Sequence, residues 1–237
     1  MTTDTERVAA VLAATGPVLL DFDGPVCGVY AGELNVRAAD QLRSRLRESR
    51  LDMPSHLVDE RDPLAVLRYV GTLGDAALTD AIERELTSIE LEAVRVAPKT
   101  AGSDDFIHAC AEKGRAVVVV SNNAADAIRA YLFANDLTNF VHGVVGRAHG
   151  KPEQMKPDPW PVQAALELID APPRRCVLVG DSATDIQAAH QAGVRSVAYV
   201  KTPDRRIPLD DEHPDSLVDG MDRLADAVRK GPSMWRH

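Results

Sequence analysis

The sequence contains no apolar run that approaches the ~18 residues of a membrane-spanning helix, and residues 1–6 show no signal-peptide pattern. It has only three cysteines, widely spaced and without a CxxC pair, which indicates neither a disulfide framework nor a zinc site. A net charge of −9 argues against general nucleic-acid binding. We therefore expect a cytoplasmic protein that binds neither nucleic acid nor membrane.

The 237 residues, 45% of them apolar, suffice for one large domain or for a domain with an insertion. Apolar runs at 17–20, 116–120, 141–145, 176–180 and 196–200 predict strands that alternate with helices. Such alternation is typical of an α/β fold with a doubly wound parallel sheet.

The segment from about 26 to 96 contains no convincing strand, and its periodicity predicts helices at 33–50, 64–73 and 78–89. We expect a core domain formed by residues 1–24 plus 98–237, with a helical cap domain at 25–97. An insertion directly after the first strand lies over the carboxyl end of the sheet, where it can act as a lid.

Four polar segments stand out in the predicted core: Asp21–Gly24, Ser121–Asn123, Met155–Asp158 and Gly180–Asp185. Three of them directly follow predicted strands, so their side chains belong at the carboxyl edge of the sheet, where open α/β sheets bind ligands. Carboxylates, a hydroxyl and a lysine at that edge suit a divalent cation and a phosphoryl group.

In their order and residue types these segments resemble the four signature motifs of the haloacid dehalogenase-like (HAD) superfamily. The resemblance covers most of the core and implies a Rossmann-like fold and a phosphatase-type hydrolase that uses Mg²⁺ and an aspartyl-phosphate intermediate. The long spacing between the first two motifs and the short spacing before the third resemble the helical C1 cap type, in which cap residues select a small phosphorylated substrate.

The resemblance implies that Asp21 is the nucleophile and Asp23 the general acid and base. A spacing of two residues keeps both carboxylates on one side of an extended chain. Gly24 allows a sharp turn that brings backbone N–H groups close to the phosphoryl oxygens. Without the other three motifs, Asp21 and Asp23 would be interpreted as turn residues at the end of the strand.

Ser121 is expected to donate its hydroxyl to a phosphoryl oxygen, assisted by the backbone N–H of Asn122. A residue of this segment can instead cap the following helix, and Asn123 is the favoured cap. Lys156 is expected to neutralise the nucleophile and the phosphoryl group. We prefer it to Lys151 because Met155–Asp158 leads straight into the next helix.

The predicted metal ligands are Asp21, Asp181 and Asp185, and the resemblance implies that Asp23 is a further ligand through its main-chain carbonyl. Asp185 can also act indirectly, by orienting Ser182 or Lys156. An all-oxygen set of this kind suits Mg²⁺. The alternative for the last two carboxylates is a favourable interaction with the positive end of a helix.

Two features depart from the family pattern: Pro25 follows the first motif, and Gly28-Val29 stands where an Asp-Ser pair is common. They affect the expected lid movement more than the chemistry. Some charged residues of the predicted cap are candidates for substrate selection by their charge alone: Arg37, His56, Arg61 and Arg68. The alternative for each is that it lies on a solvent-exposed helix face and has no role in the site. A catalytic role for Cys27 has no motif to support it.

We expect a Mg²⁺-dependent phosphomonoesterase, present as a monomer or a homodimer. A phosphomutase of the same fold uses the same motifs and stays open as an alternative. A phospho-accepting signalling module of the receiver type would have ~120 residues and no helical insertion, and a non-catalytic binding protein would not need the full motif set.

Overall fold

A computed structural model describes residues 3–49 and 53–233 of the chain. Its strands are β1 (Val18–Leu20), β2 (Val117–Val120), β3 (Gly143–Val145), β4 (Val177–Gly180), β5 (Arg195–Tyr199) and β6 (Ser216–Val218). They pair in parallel in the order β3-β2-β1-β4-β5-β6. The reversal of strand order at β1 places this strand in the centre of the sheet, next to β2 and β4.

The helices, numbered in chain order, are α1 (Asp4–Ala14), α2 (Leu34–Glu48), α3 (Pro63–Thr72), α4 (Ala76–Ala93), α5 (Ser103–Glu112), α6 (Ala125–Ala134), α7 (Trp160–Leu168), α8 (Ala183–Ala192), α9 (Arg206–Asp210) and α10 (Met221–Lys230). Among the described helices, none combines the length and apolar character that crossing a membrane requires.

The central strands are apolar without interruption because helices cover both faces of the sheet. Val18 and Leu20 point into a cluster formed with α1, α5, α6 and α10. Leu19 points to the opposite face, where it meets residues of α7 and α8. The predicted doubly wound parallel sheet with an inserted helical segment is confirmed.

Helices α2, α3 and α4 follow β1 and share an apolar cluster of their own, which includes Leu42, Leu67 and Leu86. Asp62 caps α3 by accepting from the backbone of Leu64, and Asp75 caps α4 in the same way through Leu78. Both caps explain why these helices begin where they do. The division into a core (1–24 plus 98–237) and a cap (25–97) stays a prediction.

Some predicted boundaries differ from the structure. The strand expected at 141–145 begins only at Gly143, and the helix expected at 33–50 ends at Glu48, with residue 50 outside the described residues. The strand β6 and the short helix α9 were not predicted. The segment Ser216–Val218 has only two consecutive apolar residues, so it gives no apolar run. It becomes a strand because it pairs with the edge of β5.

Candidate active site

The predicted site residues meet at the carboxyl edge of the sheet because three of their segments follow adjacent strands. Asp21 continues the ladder one residue past β1 by donating its N–H to Val179 O at 2.9 Å. Ser121 does the same past β2, with its N–H 2.9 Å from Val145 O. Asp181 follows β4 directly. Lys156 reaches this edge from the loop before α7, whereas Lys151 lies exposed.

Lys156 forms the charged centre of the site. Its Nζ lies 2.8 Å from Asp21 Oδ1 and 3.0 Å from Val120 O, and it also donates to Asp185 Oδ1. Burial would lower the pKa of Lys156, but the charges of Asp185 and Asp21 outweigh burial and raise that pKa above its usual value. Lys156 therefore stays a cation between two carboxylates.

Asp185 is wholly buried behind this centre, and both of its oxygens have partners. Its Oδ1 accepts from Lys156, while its Oδ2 accepts from the N–H of Ser182 at 3.1 Å and from the hydroxyl at 2.5 Å. Ser182 in turn caps α8, which completes a reciprocal capping box. The structure thus places Asp185 where it orients Lys156 and Ser182, as the sequence suggested it could.

Asp181 completes an acidic cluster. Oxygen atoms of Asp21, Asp181 and Asp185 lie within 4.8 Å of one another. Burial and the nearby carboxylates raise the pKa of Asp181 to about 8, and burial together with the charge of Asp185 raises the pKa of Asp21 to about 7. Asp181 accepts no hydrogen bond from any described residue, so its carboxylate is available to an ion. The donor set therefore fits a hard divalent cation that takes oxygen ligands.

Asp23 also lines the cavity at the site. One of its carboxylate oxygens is anchored, because Val29 N–H donates to Asp23 Oδ1 at 2.7 Å. Burial raises the pKa of Asp23 above its ordinary value, against the lowering effect of that hydrogen bond. Gly24 has φ +118°, and a Cβ there would lie 2.1 Å from Asp181 Oδ2. Only glycine fits this turn beside the Asp181 carboxylate.

The loop after β2 differs from the prediction in one respect. Asn123 is not the side-chain cap of α6: its Oδ1 accepts from Ser121 Oγ at 3.0 Å, and its Nδ2 donates to Glu90 Oε1 at 3.0 Å. The N-cap residue of α6, Ala124, has no capping side chain and donates its N–H to Glu90 Oε2 at 2.9 Å. The prediction was wrong because the capping carboxylate comes from α4, far away in sequence.

These residues line a cavity of about 480 Å³. Its core side includes Asp21, Asp23, Ser121, Asn122, Lys156 and Asp181, and its other side includes Tyr30, Asn35, Asp62, Leu64 and Arg68. Of the four cap candidates only Arg68 lines the cavity, where its guanidinium donates to Lys156 O at 2.8 Å. Arg37, His56 and Arg61 are exposed elsewhere.

Cys27 is fully buried, and burial raises the pKa of its thiol far above the ordinary value. A thiol in that state is a poor nucleophile.

Sequence reasoning missed the polar residues that support the site from behind, chiefly Glu83, Glu90 and Arg147. All are buried, and Arg147 pairs with both glutamates at 3.1 Å. A signal was present in the sequence: Glu83 and Glu90 are seven residues apart beside the apolar stripe of α4, so they share one helix face. Nothing in the sequence indicated that Arg147 faces them.

The sequence pattern of haloacid dehalogenase-like hydrolases matches residues 68–199, which is more than half of the chain. The chain belongs to the haloacid dehalogenase-like hydrolase family. The expected recognition of this family, and the expectation of a hydrolase, are confirmed. Membership also argues against the receiver-type alternative.

Pyrophosphatase PpaX of Bacillus mycoides (strain KBAB4) is 34% identical over 113 residues, 48% of this chain and 52% of that protein. The match thus spans about half the length of such curated relatives. Among solved structures, a predicted phosphoglycolate phosphatase of Haemophilus somnus 129pt has a TM-score of 0.63 at 18% identity and covers 90% of this chain and 97% of its own. A putative beta-phosphoglucomutase of Bacteroides vulgatus has a TM-score of 0.66 at 14% identity, with 96% and 98% covered. At these identities the structures show the fold alone.

Proposed function

We propose that this haloacid dehalogenase-like hydrolase is a Mg²⁺-dependent phosphomonoesterase that acts on a small phosphorylated metabolite through an aspartyl-phosphate. The proposal rests chiefly on one contact: the Asp21 carboxylate lies 2.8 Å from the Lys156 ammonium, at the wall of a cavity that Asp23 and Ser121 also line. Phosphoryl transfer through a covalent intermediate needs a nucleophile, a cation and a general acid close together, and these residues supply all three.

In the first half-reaction an Asp21 oxygen attacks phosphorus, the new O–P bond forms, and the bond from phosphorus to the leaving oxygen breaks. Asp23 gives its proton to that oxygen, and the raised pKa of its carboxyl group favours the protonated starting state. Lys156 holds the attacking carboxylate in place, and Ser121 donates its hydroxyl to a non-bridging phosphoryl oxygen.

In the second half-reaction water attacks the phosphorus of the aspartyl-phosphate, Asp23 takes the water proton, and the bond to Asp21 breaks to release phosphate. Asp21, Asp181 and the Asp23 main-chain carbonyl would hold Mg²⁺, with Asp185 behind them. When bound, the ion supplies positive charge that lowers repulsion between the anionic nucleophile and the phosphoryl group.

A cavity of about 480 Å³ suits a small substrate. The curated relative named as a pyrophosphatase supports a phosphorylated substrate. A cytoplasmic location and a monomer or homodimer stay predictions.

The test is hydrolysis of p-nitrophenyl phosphate with Mg²⁺, with EDTA, and by Asp21→Asn, beside a panel of metabolite phosphates. Asp204→Asn is the matched control, since Asp204 is exposed and distant in sequence from every motif. We expect metal-dependent turnover in the parent and the control, and a loss of about 10³-fold or more in Asp21→Asn because covalent catalysis ends with the nucleophile. No turnover on any panel member, with folded protein, would refute the proposal.

Product analysis separates the phosphomutase alternative. A hydrolase releases inorganic phosphate from a sugar phosphate, whereas a mutase returns an isomeric phosphate ester, and ³¹P NMR distinguishes the two. We expect inorganic phosphate.

A further inference from the structure

A buried ion pair lies behind the loop that carries Ser121, outside the groups that the proposed reaction uses. Arg147 follows β3, and Glu90 belongs to α4 in the inserted helical segment. Arg147 Nη1 lies 3.1 Å from Glu90 Oε1 and Nη2 lies 3.3 Å from Oε2, and both residues are buried. The pair therefore joins the inserted segment to the sheet at the rear of the site.

Glu90 is an acceptor for several donors at once. Besides Arg147, it accepts from Tyr30 Oη at 2.9 Å, Asn123 Nδ2 at 3.0 Å and Ala124 N at 2.9 Å. An ionised carboxylate can only accept hydrogen bonds, so the amide group of Asn123 must present its Nδ2 to Glu90. The Asn123 Oδ1 then faces Ser121, whose hydroxyl lies 3.0 Å away.

Arg147 holds the preceding residue of the same loop. Its Nη1 donates to Asn122 O at 2.8 Å, and its Nε donates to Glu83 Oε1 at 3.1 Å. Asn122 pairs in turn with the backbone of Lys156, accepting from its N–H at 2.8 Å and donating to its carbonyl at 3.1 Å. Three consecutive residues after Ser121 are thus fixed from α4 and from the segment after β3.

We propose that Glu90, held by Arg147, is a positioning residue that sets the place of the Ser121 hydroxyl through Asn123. Asn123 N–H and Oδ1 together hold Ser121 Oγ in one position at the cavity wall. The hydroxyl proton can then turn from Asn123 Oδ1 to a phosphoryl oxygen without moving Oγ, so this donor is preorganised. The inference rests on the proposed function. It also implies that the position of α4, which carries Glu90, affects how the site binds a phosphoryl group.

A buried ion pair such as Glu90–Arg147 adds little to the free energy of unfolding by itself. The penalty for removing two charges from water can exceed their mutual attraction, and an apolar pair of similar volume often stabilises as well. An apolar residue in place of Glu90 would leave the donors of Tyr30, Asn123 and Ala124 without a partner. The Glu90 carboxylate is therefore the group that both satisfies these donors and orients the loop.

The test is a double-mutant cycle between Glu90→Gln and Ser121→Ala, measured as kcat/KM for p-nitrophenyl phosphate with Mg²⁺. A glutamine presents an NH₂ group to one set of these donors, so it breaks part of the network without changing side-chain volume. We expect Glu90→Gln to lower kcat/KM about tenfold or more when Ser121 is present, and by less than about twofold in Ser121→Ala. The matched control is Glu92→Gln, an exposed glutamate of the same helix, which should change neither background.

Equal losses in both backgrounds would overturn the inference, because Glu90 would then act on overall structure and not through Ser121. If thermal unfolding shows that Glu90→Gln does not fold, Asn123→Ala replaces it in the same cycle with the same expected coupling. If the parent protein turns over no phosphomonoester, the proposed function fails. The same double-mutant cycle is then measured with the dissociation constant for inorganic phosphate. A loss of affinity that is equal with and without Ser121 would again overturn the positioning role, whatever reaction the protein catalyses.

Discussion

Asp181→Asn should stabilise the metal-free protein and weaken its response to Mg²⁺. Asp181 is buried beside Asp21 and Asp185, and burial with these charges raises the pKa of its carboxyl group from 3.8 to about 8. An acid whose pKa is raised by folding stabilises the fold below its unfolded pKa and loses that contribution as pH rises to the folded pKa. Ionisation of Asp181 therefore lowers the free energy of unfolding, and this loss grows between about pH 4 and pH 8.

The size of this cost follows from the pKa change. At about 1.4 kcal/mol for each pKa unit, the change corresponds to a ceiling of about 6 kcal/mol at pH 8 and above. Water reaches one side of Asp181 and screens its charge, so we expect Asp181→Asn to raise the free energy of unfolding by about 2–3 kcal/mol at pH 8.5. The gain should fall to about a third of that value at pH 5.

Urea unfolding in EDTA at pH 5 and pH 8.5 measures this gain, with Asp204→Asn as the control that should change little. Adding Mg²⁺ should reverse the order at pH 8.5. Free Mg²⁺ at 1,000 times its dissociation constant would stabilise the parent by about 4.1 kcal/mol, which exceeds the expected gain, and we expect the asparagine variant to bind the ion more weakly. A variant less stable than the parent in EDTA at pH 8.5, or a gain that does not shrink at pH 5, would refute the reasoning.

Three further changes test other parts of the molecule. Gly24→Ala should abolish Mg²⁺-dependent turnover, because its Cβ would lie 2.1 Å from an oxygen of Asp181; activity within twofold of the parent would contradict the close approach. Lys156→Met should lose turnover and cost about 3–5 kcal/mol of unfolding free energy at pH 8 without metal, since two buried carboxylates lose their cation; a smaller cost at pH 8 than at pH 5 would contradict that cause. Leu86→Ala should cost about 2–5 kcal/mol in urea unfolding, since Leu86 is fully buried among α2, α3 and α4, and an unchanged midpoint would contradict that packing.

Much of the site could be predicted because its residues follow strands. An apolar run such as Val117–Val120 marks a buried parallel strand, and polar residues directly after it must lie at the carboxyl edge of the sheet. That rule brought Asp21, Ser121 and Asp181 together from sequence positions far apart. The spacing of the segments also indicated the helical insertion after β1.

The supporting contacts could not be predicted in the same way. Glu90 caps α6 from a helix more than thirty residues earlier in the chain, so no local pattern around Asn123 revealed that its own capping role was taken. In the sequence, Arg147 is an ordinary charged residue after a short strand. Only the tertiary structure brings it against Glu83 and Glu90 of α4. The strand β6 was missed because its segment has only two consecutive apolar residues, and its pairing with β5 is a contact that the tertiary structure makes.

The sequence by itself determined the elements, their alternation and the identity of the residues at the strand ends, because periodicity and strand termination are local properties of the chain. Only the tertiary structure decided which polar groups pair behind those residues: that Asp185 gives both oxygens to Lys156 and Ser182, that Asp181 keeps its carboxylate free of described donors, and that Glu90 and Arg147 brace the Ser121 loop. Hydrogen-bond partners depend on distances of a few tenths of an ångström between segments remote in sequence. Packing of the whole chain sets those distances.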